Sequence, residues 1–571
     1  MSKGTELDFD RQNSLERHWW KEAVVYQIYP LSFADSDADG IGDLPGIIGK
    51  LDYIAGLGVD AIWLCPHFDS PNVDNGYDIR DYRKVLREFG TMDDFDRLLE
   101  AARSRNIRLI IDLVLNHTSD QHEWFVESRS GRDSPKRNYY VWRDGSGGVP
   151  NNFPSFFGGS AWQKDDASGD YYLHYFAKEQ PDLNWDNPHV RADVFDIMRF
   201  WLDKGVAGFR LDVIPFISKD QTFPDLTPEQ LEAPQFAYSD GPLVHDYLQE
   251  MNREVLAHYD AMTVGEAYGV TDVKAPLFVD EDRHELDMLI SFDVVRLDRN
   301  GWRKTDWSLP AFKAVYSRLD RTIGASGWNA IFLSNHDNPR AVSHFGDDTP
   351  EFRVASAKAL ATLVLTLRGT PFIYQGEELG MTNFPFQHVE EFDDIEVKGQ
   401  WAEHVLGGKV SPECFIAHLR QTSRDHARTP MQWNGNTNAG FTAAEKPWFA
   451  VNPNYTEINA EADLANENSI YRYFQRLIAL RRSKLALTYG DYVDLDPAHK
   501  KLFVYMRTLG ADRLLVAINF SREPQLLELP AMGASWDLLL TNLSGRQGKV
   551  LSSEVQLAPW ESAILGILGT D

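Results

Sequence analysis

VAGFRLD (206–212), AMTVGE (261–266) and AIFLSNHD (330–337) are short apolar runs that each finish on or beside a carboxylate: Asp212, Glu266 and Asp337. Five more runs have the same character: VVYQIYP (24–30), DAIWLC (60–65), RLIIDLVL (108–115), MLISFD (288–293) and PFIYQG (371–376). Between them lie amphipathic stretches such as 93–106 and 190–205, with apolar residues at helical spacing and Asn or Gly at the end. Strands alternating with helices in this way predict an α/β fold, a (β/α)8 TIM barrel. Such a barrel projects its reactive side chains from the C-terminal rim of its strands, so the three acids are expected at one rim.

The spacing of the runs also divides the chain. The barrel is expected over 1–117 plus 188–489, interrupted after the third strand by an inserted lobe at 118–187 rich in Gly, Ser, Asn, Asp and aromatics. An irregular subdomain is expected at about 380–450. From 490 to 571 short alternating runs broken by Gly, Pro and Asn predict a C-terminal all-β domain, a β-sandwich.

Composition removes several classes of function. With 85 acids against 57 bases the net charge is -28, which argues against nucleic acid and anionic membranes as partners. Two cysteines, Cys65 and Cys414, cannot build a disulfide framework. The polar N-terminus lacks an apolar signal core and no run of 18 apolar residues follows; the expectation is a cytoplasmic monomer, or a periplasmic one if an exporting segment has been removed. A carboxylate at a strand end is often only a helix cap. Three at strand ends on one rim instead suit glycosidic-bond chemistry, in which one acid attacks and another protonates the leaving oxygen.

Five ordered blocks carry a more specific signal: DLVLNHTSD (112–120), QPDLNW (180–185), GFRLDVI (208–214), VGEAYG (264–269) and FLSNHD (332–337). They resemble the blocks of the α-amylase superfamily of retaining α-glucoside enzymes. NHDNPRAVSHFGDD (335–348), FIYQGEELGMTNFPF (372–386) and TSRDHARTPMQW (422–433) bring the chain nearest to the oligo-1,6-glucosidase and sucrose isomerase group. The resemblance implies Asp212 as nucleophile, Glu266 as acid/base with the higher pKa of the two, and Asp337 as transition-state stabiliser. It further implies Asp74, Tyr77, His117, Phe176, Gln180, Arg210, His336 and Arg428 around the glucosyl ring of a small oligosaccharide or disaccharide, in a closed pocket that dictates exo action. Tyr77 has ordinary aromatic packing as its alternative. No catalytic cofactor is implied.

DSDADGIGD (35–43) sets Asp35, Asp37 and Asp39 at alternate positions, with the Ile41 carbonyl and Asp43 following. That spacing resembles the first half of a calcium loop, although Gly46 stands where an EF-hand has its Glu. A structural calcium or magnesium ion is the expectation, an acidic surface turn the alternative.

The linkage clues divide. In this group Val213, directly after the nucleophile, accompanies α-1,6 preference, whereas RLDRN (296–300), with Arg296 and Arg299, resembles the loop that sucrose isomerases close around fructose. Three departures favour hydrolysis: Asn300 for Asp, Tyr268 and Ile290 where isomerases carry a phenylalanine clamp, and Glu377 for Ser. The expected activity is therefore hydrolysis of isomaltose, isomaltulose and trehalulose. Isomerisation of sucrose is the alternative, and a non-catalytic sugar-binding module a remote one.

Overall fold

The computed structural model describes residues 16–239, 241–324, 326–531, 535–546, 548–550 and 553–567. All eight expected runs form strands, in chain order Val25–Ile28, Ala61–Leu64, Arg108–Val114, Gly208–Asp212, Met262–Glu266, Met288–Ile290, Ala330–Ile331 and Thr370–Tyr374. They pair in parallel, each with its neighbours in sequence, and the eighth returns to the first through Val25 opposite Phe372. The sixth and seventh join only through a parallel bridge from Leu289 to Asn329, so the cylinder is closed most weakly there. The strands read as continuous apolar runs because each is buried on both faces, with helices covering the outside.

The helices begin and end where local chemistry dictates. Met92–Arg103 starts with a capping box between Thr91 and Asp94, and Pro188–Lys204 stops at Gly205, whose φ of 103° suits a residue without a Cβ. The lobe after the third strand holds helix Glu123–Ser128 and a three-stranded sheet of Trp142–Arg143, Trp162–Lys164 and Tyr171–Leu173. Beyond the eighth strand, helices Ile395–Gln400 and Pro412–Thr422 flank a π-helical turn, Trp401–Leu406, before helix Ile470–Ser483 returns to the barrel wall.

From Asp491 onward the chain is antiparallel: a six-stranded sheet with a separate two-stranded pair, Gln525–Glu528 and Glu554–Leu557. Buried cations tie it to the barrel. Lys313 donates to the carbonyls of His499 (3.0 Å) and Leu502 (3.1 Å), and Arg507 to those of Thr366 and Leu487 (2.8 Å). Among the described residues no helix is long and apolar enough to cross a membrane.

Candidate active site

The fourth strand enters the core as GFRLD, and alternation sends Arg210 and Asp212 to the same side, into the barrel. Arg210 stands in register with Asp112 on the third strand and Val264 on the fifth. It is 1 % exposed, and its guanidinium ties three acids together. Nη1 donates to Asp112 Oδ1 (2.8 Å) and Asp212 Oδ1 (2.7 Å), and Nη2 to Glu266 Oε2. Glu266 also accepts from the Val213 N–H (3.1 Å). Val213 itself has φ 33° and ψ 40°, a left-handed conformation that is a genuine outlier for a β-branched residue.

Asp337 approaches from the other side of the same cavity. One oxygen faces Arg424 (3.1 Å) and Arg428 (3.2 Å), and the other His336 (3.1 Å). Burial alone would raise its pKa, but His336, Arg424 and Arg428 outweigh it and hold the carboxyl well below the usual range. Asp212 differs. Burial raises it, Glu266 and Asp112 add to the rise, and Arg210 opposes without prevailing. Arg210 does not by itself hold Asp212 in the acidic range, because one guanidinium is shared among three carboxyls.

These residues line a cavity of about 360 Å³. Asp212, Glu266, Asp337, Asp74, Tyr77, His117, Phe176, Val213, Tyr268, Arg296 and Arg299 all face it, as expected. Four others stand behind it. Arg210 is the buried hub just described. Gln180 is fully buried and donates to Asp74 (3.2 Å), so it orients that acid rather than meeting a ligand. His336 is likewise buried, with Nδ1 on Gln27 (2.9 Å), Nε2 on the Tyr77 hydroxyl (2.6 Å), and its ring stacked on Tyr77 at 5.3 Å. Arg428 backs Asp337 while Arg424 supplies the cation in the cavity wall.

Two expectations are corrected outright. Glu377 does not reach the cavity: its carboxyl turns back to Ser334 (2.5 Å) and the Tyr374 N–H (3.3 Å), beside a separate pocket under helix Arg353–Thr366. Burial pushes it up to about 8, so it stands there as a neutral acid near pH 7. Ile290 is a core residue in register with Glu266, and Phe292, two positions on, faces the cavity against Tyr268 with ring centroids 5.6 Å apart. An aromatic pair is thus present. Arg296 lies over the Tyr268 ring (4.6 Å) and bonds its hydroxyl (3.0 Å), while Arg299 reaches Asn338 (3.2 Å).

Burial sets the charge at the inner end. Asp74 is pushed up to about 7 by desolvation, against the pull of Arg424 and Arg428, whereas His117 is driven down to about 3 and stays neutral. Asp112, Arg424 and Asp394 were not among the expected residues. Asp112 accepts from Arg210, Tyr77 (2.9 Å) and Trp63 (3.2 Å), and Asp394 clamps Arg424 Nε (2.9 Å). The signal for Asp112 was its place inside an apolar strand, RLIIDLV; for Arg424 it was the charge-dense run TSRDHAR.

The acidic loop at 35–43 fits a hard cation in part. Oxygens of Asp35, Asp37 and Asp39 lie within 4.8 Å of one another, a donor set suited to calcium or magnesium. Asp43 is spent elsewhere: it caps helix Leu44–Gly49 through Gly46 N–H (2.6 Å) and accepts from Ser36 N–H (2.7 Å). Ile41 joins the loop by donating its N–H to Asp39 (2.7 Å).

Comparison with known proteins agrees with this geometry. Residues 27–490 match the family model described as alpha amylase, catalytic domain, and residues 493–564 a domain of unknown function, DUF3459. An oligo-1,6-glucosidase of Parageobacillus thermoglucosidasius is 49% identical over 97% of this chain and 100% of its own. Among solved structures, isomaltulose synthase SmuA from Protaminobacter rubrum is 54% identical with a TM-score of 0.94, covering 97% of this chain and 100% of its own. An isomaltulose synthase of Erwinia rhapontici NX5, solved as a mutant with its natural substrate sucrose, gives 55%, 0.95, 97% and 100%.

Proposed function

Because this chain belongs to the alpha-amylase family of glycoside hydrolases, we propose that it is a retaining, exo-acting α-glucosidase for short α-1,6-linked glucosides: isomaltose, isomaltulose and trehalulose. The observation that carries the reading is the convergence of Asp212, Glu266 and Asp337 on one cavity, with Val213 between the first two. Asp212 attacks the anomeric carbon to form a β-glucosyl ester, Glu266 protonates the departing oxygen, and water deprotonated by Glu266 then releases glucose. Asp212 and Glu266 bond the two terminal nitrogens of one guanidinium, a close approach that suits the roughly 5–5.5 Å separation of a retaining pair better than that of an inverting one.

Asp337, held well below the usual carboxylate range by His336, Arg424 and Arg428, stabilises positive charge on the distorted ring. Asp74 and Arg424, 3.8 Å apart, close the far end, which supports exo action. Val213 presents an apolar surface at the acceptor side, where a hydroxyl-bearing residue would bond a sugar. We also assign a calcium ion to Asp35, Asp37 and Asp39 with the Ile41 carbonyl. When bound it holds the loop rigid by charge neutralisation, and no catalytic step passes through it.

A second reading, isomerisation of sucrose, is favoured by the Tyr268–Phe292 pair beside Arg296 and Arg299, a wall able to hold a released fructose. Incubation with isomaltulose and, separately, sucrose decides between them. Hydrolysis predicts equimolar glucose and fructose from isomaltulose; isomaltulose accumulating from sucrose without matching glucose refutes it.

A further inference from the structure

The loop leaving the fourth strand carries a buried cation that no step above uses. Lys219 is 4 % exposed; its Nζ meets the Asn116 side-chain oxygen (2.7 Å), the Phe216 carbonyl (2.9 Å) and Asp182 Oδ2 (3.1 Å). An ammonium only donates, so the Asn116 amide must turn its oxygen to Lys219. Its NH2 then faces Asp182, an acceptor, and Nδ1 of His117 at 3.1 Å. An NH2 aimed at Nδ1 requires that nitrogen to be bare, which leaves the ring proton on Nε2.

The other end of the ring agrees. Nε2 lies 3.1 Å from the Tyr77 carbonyl, which can only accept. Gln180 takes the Ala177 N–H on its oxygen (3.0 Å), which leaves the two protons of its NH2 to Asp74 (3.2 Å) and this carbonyl (3.4 Å); the NH2 stands 3.2 Å from Nε2 but has no proton left that would require that nitrogen bare. The opposite tautomer would set a lone pair against the Tyr77 carbonyl and pull the Asn116 oxygen off Lys219.

We propose that Lys219 is a positioning residue that acts through Asn116 to lock His117 as its Nε2–H tautomer, so that the Nε2–H held by the Tyr77 carbonyl is always a donor and one that a glucosyl hydroxyl in the cavity can share. The lock involves no net charge on the ring, because burial keeps His117 neutral. Lys219 and Asp182 stand behind it, and Asp74, Asp212 and Asp337 line the cavity in front. The hydroxyl it serves rests on the α-glucosidase reading; the tautomer does not.

Two measurements separate these. In protein labelled with 15N-histidine, with His117→Asn used for assignment, the His117 ring proton is expected on Nε2 at pH 7; a proton on Nδ1 overturns the proposal whatever the substrate. Asn116→Asp keeps Lys219 paired but accepts from Nδ1–H. On isomaltulose, kcat/KM relative to the parent protein is then expected to fall at least tenfold at pH 8 and to recover toward pH 5, because the introduced carboxylate raises the His117 pKa and the imidazolium so formed regains Nε2–H. A pH-independent loss, or none, overturns it. Lys219→Met with Asp182→Asn removes both buried charges at once and should give a mixed tautomer; retention of pure Nε2–H overturns the role of Lys219.

Discussion

Asp74→Asn isolates the electrostatic strain at the inner end of the cavity. Asp74 ionises near 3.8 in the unfolded chain and at about 7 in the folded one, because burial outweighs Arg424 and Arg428. Below pH 3.8 both states are protonated. As pH rises the unfolded carboxyl ionises first while the folded one holds its proton, so the native state loses stability between about pH 4 and 7 and no more above it. At about 1.36 kcal/mol per pKa unit, the shift is worth on the order of 4 kcal/mol. Over 571 residues, an unfolding entropy of about 2.1 cal/mol/K per residue gives roughly 1.2 kcal/mol/K, so the loss is ~3 °C in Tm. The asparagine protein lacks this titration. Scanning calorimetry of both from pH 4 to 8 should show the Tm difference moving by ~3 °C in favour of Asp74→Asn. Parallel curves would refute the assignment of a strained, buried acid. The same variant should lose most activity above pH 7, where Asp74 is ionised, since an amide accepts sugar hydroxyls less well than a carboxylate.

Glu266→Gln should lower kcat/KM on isomaltulose by about 10²–10⁴, the range for a lost general acid; near-wild-type turnover would remove Glu266 from the mechanism. Arg210→Lys replaces a planar fork by a point charge that cannot reach three acids, so a loss of roughly 3–5 kcal/mol in denaturant unfolding and at least a hundredfold drop in kcat are expected; an unchanged midpoint contradicts the hub role. Chelation should lower Tm by about 2 °C, as for a ligand present at ~100 times its Kd, with restoration by calcium and kcat at 25 °C intact. Equal Tm with chelator and with calcium would remove the ion from Asp35, Asp37 and Asp39.

The barrel was legible because each of its strands is a short apolar run, and period alone reports burial on both faces. The three acids were legible for the same reason: a strand end in a parallel barrel has one destination. Glu377 and Ile290 failed where alternation could not reach. Glu377 sits on a turn after the eighth strand, whose backbone folds its carboxyl back to Ser334. Ile290 still belongs to the sixth strand, so the cavity face passes to Phe292 beyond it.

What the chain determined by itself was therefore its architecture, its family and the convergence of Asp212, Glu266 and Asp337, all properties carried by local pattern and strand order. What only the tertiary structure decided was how those side chains divide one another's charge. Arg210 is shared by three carboxyls, Asp337 faces two arginines, and Asp43 caps a helix instead of joining its neighbours. Such assignments depend on distances between residues far apart in sequence, where the electrostatic term changes by several kcal/mol over a few ångströms in a dry interior. No local periodicity encodes that.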